Sequence, residues 1–450
     1  MKKKFSINIE KIVYGGYGLG RVDGKVVFIP FTAPGDRVSA EAIKEKKDFI
    51  EARLISVENP SPLRTEPFCG VFGRCGGCQY QYLKYEDQLR IKTEILEDSL
   101  IRLRKRGPFE FHPIIPSARD RACRIRAQMK IGRTERRAFL GFHRFKTHEV
   151  VEIKTCPMLD PLADGVLRNL QVWIKEEEQM STLRGIDILV SPDEGAAIIR
   201  IYGDGLGEEA GKGKMMGETG KIKGWVWEGK KEGSRGETTL WFHAPNFLGD
   251  EPLRVGVDHG SFYQTNADQN RELIHKVMEW AGLTGKEKVL DLFCGAGNLT
   301  LPLAQKAREA WGIDADEGAI ARAAENARQN GAANCRFMAA SAEAGIRALA
   351  QAGESFDLVV LDPPRAGAKE VMDSLARLRP TRILYVSCEP PTLIRDLVRL
   401  TDLGYNVTRI QALDMFPQTY HMEVIAELSA VSCRPSAKME DGNKKWNLCG

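Results

Sequence analysis

Residues 288–298 read K-V-L-D-L-F-C-G-A-G-N, a short apolar run that ends on two glycines and an amide. Gly295 and Gly297 let the backbone turn tightly against a ligand where a helix begins. About twenty residues on, Asp314 closes the next apolar run, E-A-W-G-I-D, the place where an acid grips ribose hydroxyls in doubly wound folds. The spacing is G-x-G, without the third glycine of the dinucleotide fingerprint. With Asp314, this favours S-adenosylmethionine over a ligand carrying a pyrophosphate.

Working outward, F-D-L-V-V-L-D and R-I-L-Y-V-S are further short strands, and A-I-A-R-A-A-E-N-A-R-Q-N-G is helical, with Asn330-Gly331 as a natural C-cap. Strands alternating with helices from about residue 256 to 430 imply a mostly parallel sheet covered on both faces. The expected fold class is therefore α/β, a Rossmann-like class I methyltransferase domain.

Two strand ends carry candidate chemistry. D-P-P-R-A-G (362–367) places Arg365 where amino-group methyltransferases carry an aromatic residue that stacks the target base, which argues against an exocyclic nitrogen as target. The next strand ends on Cys388, followed by Pro390 and Pro391, which are expected to hold that edge as a loop. A lone cysteine is usually a buried apolar residue. However, ligands in such sheets bind at the carboxyl ends of strands, and neighbouring strands lie ~5 Å apart. The late strand in Y-H-M-E-V-I-A-E-L starts near Glu423 and is antiparallel in methyltransferase sheets, so it meets the same edge. A thiol, an acid and a methyl donor suit carbon 5 of uracil. Thiolate addition at carbon 6 makes carbon 5 nucleophilic, and a base then removes its proton. Cys388 fits the nucleophile and Glu423 the base.

Earlier in the chain, residues 1–58 alternate apolar runs with glycines, and Asp23-Gly24 marks a hairpin, so a small β-barrel is expected. Asn59-Pro60-Ser61-Pro62 reads as a linker, and leucines at 89, 96, 100 and 103 mark a helix between Tyr82 and Arg106. Residues 120–255 alternate like strands, with a Gly/Lys/Glu-rich interruption near 203–236 expected to be a long flexible loop. The domains expected are thus 1–58, a central α+β domain at 59–255 and the methyltransferase domain at 256–430, with 431–450 a disordered tail.

The 450 residues, 43% hydrophobic and 28% charged, describe a soluble globular protein with two or three cores. No apolar run approaches the ~20 residues of a membrane span. Met1-Lys2-Lys3-Lys4 lacks a following apolar segment, so a cytoplasmic protein and a monomer are the default expectations. The net charge of +4 hides an uneven distribution. From Arg102 to Lys146 there are 14 Lys or Arg and three acids (Glu110, Asp120, Glu135), a local balance of +11. Interleaved with five phenylalanines, that segment favours nucleic acid over a solvated face. Cys69, Cys75 and Cys78 have the spacing C-x5-C-x2-C, and Cys156-Pro157 offers a fourth ligand. Zinc sites usually pair two C-x2-C knuckles, so the pattern favours a [4Fe-4S] cluster.

In combination these features resemble the RNA 5-methyluridine methyltransferase family over nearly the whole chain. The S-C-x-P, D-P-P-R-A-G, F-Y-Q-T-N, D-M-F-P and H-M-E motifs occur in the family's order. The resemblance implies an N-terminal TRAM barrel, Cys388 as nucleophile and Glu423 as base. It implies donor contacts from Gln264, Phe293, Asn298, Asp314, Ser341 and Asp362, and a cluster on Cys69, Cys75, Cys78 and Cys156. The ribose acid is more often Glu in the family, and position 341 more often Asn or Asp. A TRAM barrel together with four cysteines looks like the 23S ribosomal RNA members. The alternatives are a tRNA uracil-C5 methyltransferase and an RNA-binding iron–sulfur protein with a non-catalytic methyltransferase fold. A radical enzyme would need C-x3-C-x2-C.

Overall fold

The computed structural model describes residues 3–135, 137–176, 182–204, 221–229 and 232–431. Its largest sheet has eight strands, in the order Cys335–Ala339, Glu309–Asp314, Lys288–Leu292, Leu358–Leu361, Arg382–Ser387, Glu423–Ala430, Tyr405–Leu413 and Glu110–Ile115. The first five run parallel and Glu423–Ala430 is antiparallel to its neighbours. Lys288–Leu292 is buried along its length because the sheet is covered on both sides. Val289 enters one hydrophobic core, while Leu290 and Leu292 enter the other. This is the doubly wound arrangement expected from the alternation of strands and helices. Its eighth strand, Glu110–Ile115, comes from the segment expected in the central domain and pairs in parallel with Tyr405–Leu413. Strand pairing therefore crosses the boundary expected at residue 255.

The N-terminal sheet is curled and six-stranded, in the order Lys4–Asn8, Arg37–Glu45, Phe49–Asn59, Lys25–Pro30, Tyr17–Val22 and Lys11–Val13. Asp23 and Gly24 both have positive φ, 50° and 77°, between the paired Val22 and Lys25. That is the hairpin turn the dipeptide announced.

A third, seven-stranded sheet lies between them in sequence, running from Val150–Glu152 through Ala138–His143, Arg126–Arg133, Leu183–Ser191, Ala196–Gly203 and Ile222–Glu228 to Gly233–Gly236. Two expectations fail here. Part of the stretch expected as a flexible loop is ordered: Ile222–Glu228 joins the sheet in parallel with Ala196–Gly203, and Gly233–Gly236 pairs with it. Residues 205–220 of that stretch lie outside the described residues. Pro161–Glu176, in a region read as strands, is a helix that buries Ala163, Val166, Leu167, Leu170, Trp173 and Ile174. Those positions share one helical face, and their burial contributes ~1.5–3 kcal/mol for each large side chain.

A third correction concerns Pro390 and Pro391. They do not hold a loop open: they are the first residues of the helix Pro390–Asp402. At the first turn a missing N–H costs nothing, and the fixed φ of proline suits a helix start. The expected tail from residue 432 onward lies outside the described residues.

Candidate active site

The loop after Lys288–Leu292 is held in an uncommon conformation, with Phe293, Gly295 and Gly297 at φ of 64°, 53° and 89°. A bulky residue at positive φ stores strain of the kind that collects at ligand sites. Asp314 clasps this loop, accepting the Gly295 N–H at 2.9 Å and the Asp316 N–H at 3.0 Å. Four of the residues assigned to the donor, Gln264, Phe293, Asn298 and Asp362, line one small cavity with Gly295 and Phe262. Asp314 reaches that cavity through its hydrogen bond with the Gly295 N–H. Ser341 lies just beyond Ala339, which pairs with Asp314, and accepts the Ala344 N–H at 3.3 Å as a helix N-cap. Sequence reasoning missed Asn270, whose amide exchanges two hydrogen bonds of 2.9 Å with Asn298 and so orients it. It also missed Asp291 beneath the loop. Burial pushes the Asp291 carboxyl up to about 8, against a 2.6 Å hydrogen bond donated by Thr300.

Strand register sets the second half of the site. Ser387 pairs with Val424 across the antiparallel strands. One step further, Cys388 and Glu423 are therefore opposite each other at the strand ends, a placement that brings β-carbons within ~4.5–5.5 Å. Leu361 pairs with Tyr385 on the other side, so Asp362 emerges at the same edge. Glu423 is 1% exposed, and one of its oxygens has no hydrogen-bond partner. Burial first, then the charge of Asp362, pushes its carboxyl well above the usual range. Burial also lifts Asp362 to about 7, opposed by the Gln264 amide at 3.4 Å. The Cys388 thiol is pushed up to about 12 by burial, then by Glu423 and Asp362, while Arg365 pulls it down. An acid pair, a thiol and one cation thus share a water-poor edge.

Cys69, Cys75, Cys78 and Cys156 line a separate cavity of about 110 Å³. Among the described residues, no group of three or more His, Cys, Asp or Glu side chains is placed to hold a metal ion. The half-buried Arg124 bridges this cavity to the catalytic domain, donating to Gly77 O at 3.0 Å and Pro417 O at 3.4 Å, with Cys78 Sγ at 3.9 Å. The Gln418 carbonyl accepts the N–H groups of Gln79 and Tyr80. The cysteine loop and the segment leading to Glu423 are therefore fastened together.

The basic segment is less bare than its composition suggests. Arg119 pairs with Asp268 at 2.7 Å, Arg137 with Glu152 at 2.8 Å and Arg144 with Glu149 at 2.7 Å, and Arg106 bonds Asp402. These four of its fourteen basic residues are thus paired within the fold.

A glycine loop clasped by an acid at the carboxyl edge of a doubly wound sheet is a nucleotide-cofactor site, of the kind expected in an S-adenosylmethionine-dependent methyltransferase fold. The family model for tRNA (uracil-5-)-methyltransferases matches residues 248–430, and that for the TRAM domain of tRNA (uracil(54)-C(5))-methyltransferase matches 6–63. The 23S rRNA (uracil(1939)-C(5))-methyltransferase RlmD of Aeromonas hydrophila is 34% identical, over 94% of this chain and 96% of its own. An uncharacterized RNA methyltransferase of Clostridium acetobutylicum is also 34% identical, over 95% and 97%. The crystal structure of Pyrococcus abyssi tRNA (uracil-54, C5)-methyltransferase with S-adenosyl-L-homocysteine superposes with a TM-score of 0.70 at 26% identity, covering 94% of this chain and all of that one. The chain belongs to the RNA (uracil-5-)-methyltransferase family and is an S-adenosylmethionine-dependent enzyme. Among the described residues no helix is long and apolar enough to cross a membrane.

Proposed function

We propose that this enzyme methylates C5 of a uridine in 23S ribosomal RNA, with Cys388 as nucleophile and Glu423 as base. The observation that carries the residue roles is the register of the two antiparallel strands, which sets thiol and carboxylate opposite each other. Once deprotonated, Cys388 adds to C6, and the C5–C6 π electrons move toward O4 as an enolate. C5 then attacks the methyl carbon of S-adenosylmethionine, forming the C5–CH3 bond as the S–CH3 bond breaks and S-adenosyl-L-homocysteine leaves. Glu423 takes the C5 proton, and the electrons of that bond expel the thiolate, restoring the C5–C6 double bond. Burial makes Glu423 a stronger base than an exposed carboxylate. The ribosomal substrate is favoured over tRNA because the named relative at 34% identity acts on 23S rRNA, whereas the tRNA enzyme is 26% identical.

RNA carrying 5-fluorouridine at the target tests this directly, because fluorine cannot leave as a proton would. A covalent adduct that survives denaturation is expected with the wild type and none with Cys388→Ser. An adduct formed by Cys388→Ser would remove Cys388 from the role of nucleophile. Offering 23S rRNA and tRNA fragments in parallel decides the substrate.

The four cysteines support a [4Fe-4S] cluster as a bound group. They face one cavity, and burial raises the Cys75 thiol to about 11 with the other three cysteines adding to it, a mutual repulsion that a cationic iron core would relieve. Held by Cys69, Cys75, Cys78 and Cys156, such a cluster would fasten the loop and supply no open iron for chemistry.

A further inference from the structure

Three buried polar atoms around Cys388 have no hydrogen-bond partner: Glu423 Oε1, His421 Nδ1 and Tyr14 Oη. Buried polar groups are normally satisfied, so exceptions gathered at one edge mark where a ligand's own polar groups belong. Two of the three lie on the segment that delivers the base. Tyr14 comes from the other end of the chain, in the turn between Lys11–Val13 and Tyr17–Val22 of the curled N-terminal sheet.

Tyr14 reaches the catalytic edge because its turn is seated there. Its ring meets that of Tyr420 edge-on at 5.5 Å, and Tyr420 lies against His421 at 4.0 Å. Gly16 sits so close that a β-carbon would approach the Tyr420 ring to 3.3 Å. Lys11 pairs with Asp98 at 2.5 Å, anchoring the adjoining strand to the helix Tyr85–Ser99. The Tyr14 hydroxyl lies beside the carboxylate of Glu389, the residue after Cys388, without making a hydrogen bond of acceptable geometry. Arg365 is near enough for its charge to act on Tyr14, Tyr420 and His421 as well as on Cys388 and Glu423. Burial holds the Tyr14 phenol protonated, so its hydroxyl can both donate and accept.

We propose that the Tyr14 hydroxyl hydrogen-bonds the uridine entering the Cys388 site, so that the N-terminal sheet supplies one wall of the nucleotide pocket. The inference rests on the uracil-C5 reading above and deepens it by naming a recognition residue outside the methyltransferase domain. A uridine turned out of its stack presents carbonyl acceptors, an imide donor and a 2′-hydroxyl, any of which a phenol at this edge can meet.

The competing role for Tyr14 is purely one of packing, as the ring that docks the sheet on Tyr420. Tyr14→Phe separates the two, since it keeps the ring and removes the oxygen. With 5-fluorouridine RNA, kcat/KM for adduct formation by Tyr14→Phe should fall about tenfold, as expected for one lost hydrogen bond to substrate. Binding of S-adenosyl-L-homocysteine and the melting temperature should stay at wild-type values. Unchanged kinetics in Tyr14→Phe, with slow kinetics confined to Tyr14→Ala, would reduce Tyr14 to a packing residue and overturn the proposal. If the wild type itself forms no adduct, the uracil-C5 reading fails and this proposal falls with it.

Discussion

Cys388, the proposed nucleophile, rests in an unhelpful environment. Burial and two neighbouring carboxylates stabilise the thiol over the thiolate, and Arg365 only partly offsets them. The arrangement suits a residue activated when substrate arrives and idle otherwise. A direct consequence concerns pH. With the thiol pushed up to about 12, the thiolate fraction grows roughly tenfold per pH unit from pH 7 to beyond pH 10. Iodoacetamide should therefore modify Cys388 ever faster across that range, measured by mass spectrometry of its peptide. Levelling off above about pH 9 would show a thiol with an ordinary pKa. The motif residues at this scale were legible because each lies within a few positions of a strand end. Asn270 was not, since its partner Asn298 is 28 residues away and only packing joins them.

At the scale of elements, the segment 414–423 has to be held rigidly for Glu423 to face Cys388. Its anchor is the ion pair between Lys92, on the helix Tyr85–Ser99, and Asp414, at 2.5 Å with both side chains fully buried. Lys92 also donates to the Phe416 carbonyl, and Tyr85 to Asp414. Breaking such a pair leaves an uncompensated buried charge and costs ~3–5 kcal/mol. Lys92→Ala should lower the melting temperature by many degrees, and the double variant Lys92→Met/Asp414→Leu should recover much of the loss. A single variant as stable as the wild type would contradict this account. The D-M-F-P motif that contains Asp414 was visible in the sequence, but its partner 322 residues away was not. The prolines after Cys388 show the opposite failure. They are expected to hold a loop because proline breaks a helix interior, yet at a first turn the same residues start a helix.

Across the whole molecule, the connecting segments fasten the separate sheets to one another. The curled N-terminal sheet docks through Arg64, which bonds the buried Asp36 at 2.7 Å, and through Tyr82, whose hydroxyl donates to Thr32 O at 2.9 Å. The cysteine loop locks onto the Gln418 carbonyl and, through Arg124, onto Pro417. If a [4Fe-4S] cluster fastens that loop, protein purified without oxygen should be brown and carry iron and sulfide in stoichiometric amounts. A colourless protein with one zinc would sink the cluster. Loss of the cluster should also raise amide exchange at Gln79 and Tyr80, whose N–H groups both end on Gln418.

By itself the sequence determined the doubly wound class, the hairpin at Asp23-Gly24 and the short motifs, because periodicity, turn chemistry and strand-end glycines act over a few residues. Tertiary structure alone decided that Glu110–Ile115 would complete the catalytic domain's sheet, that Lys92 would hold Asp414, and that Tyr14 would stand beside the Cys388 edge. Those pairings join residues remote in the chain, and they follow from which surfaces bury one another, a property of the folded whole that no local spacing records.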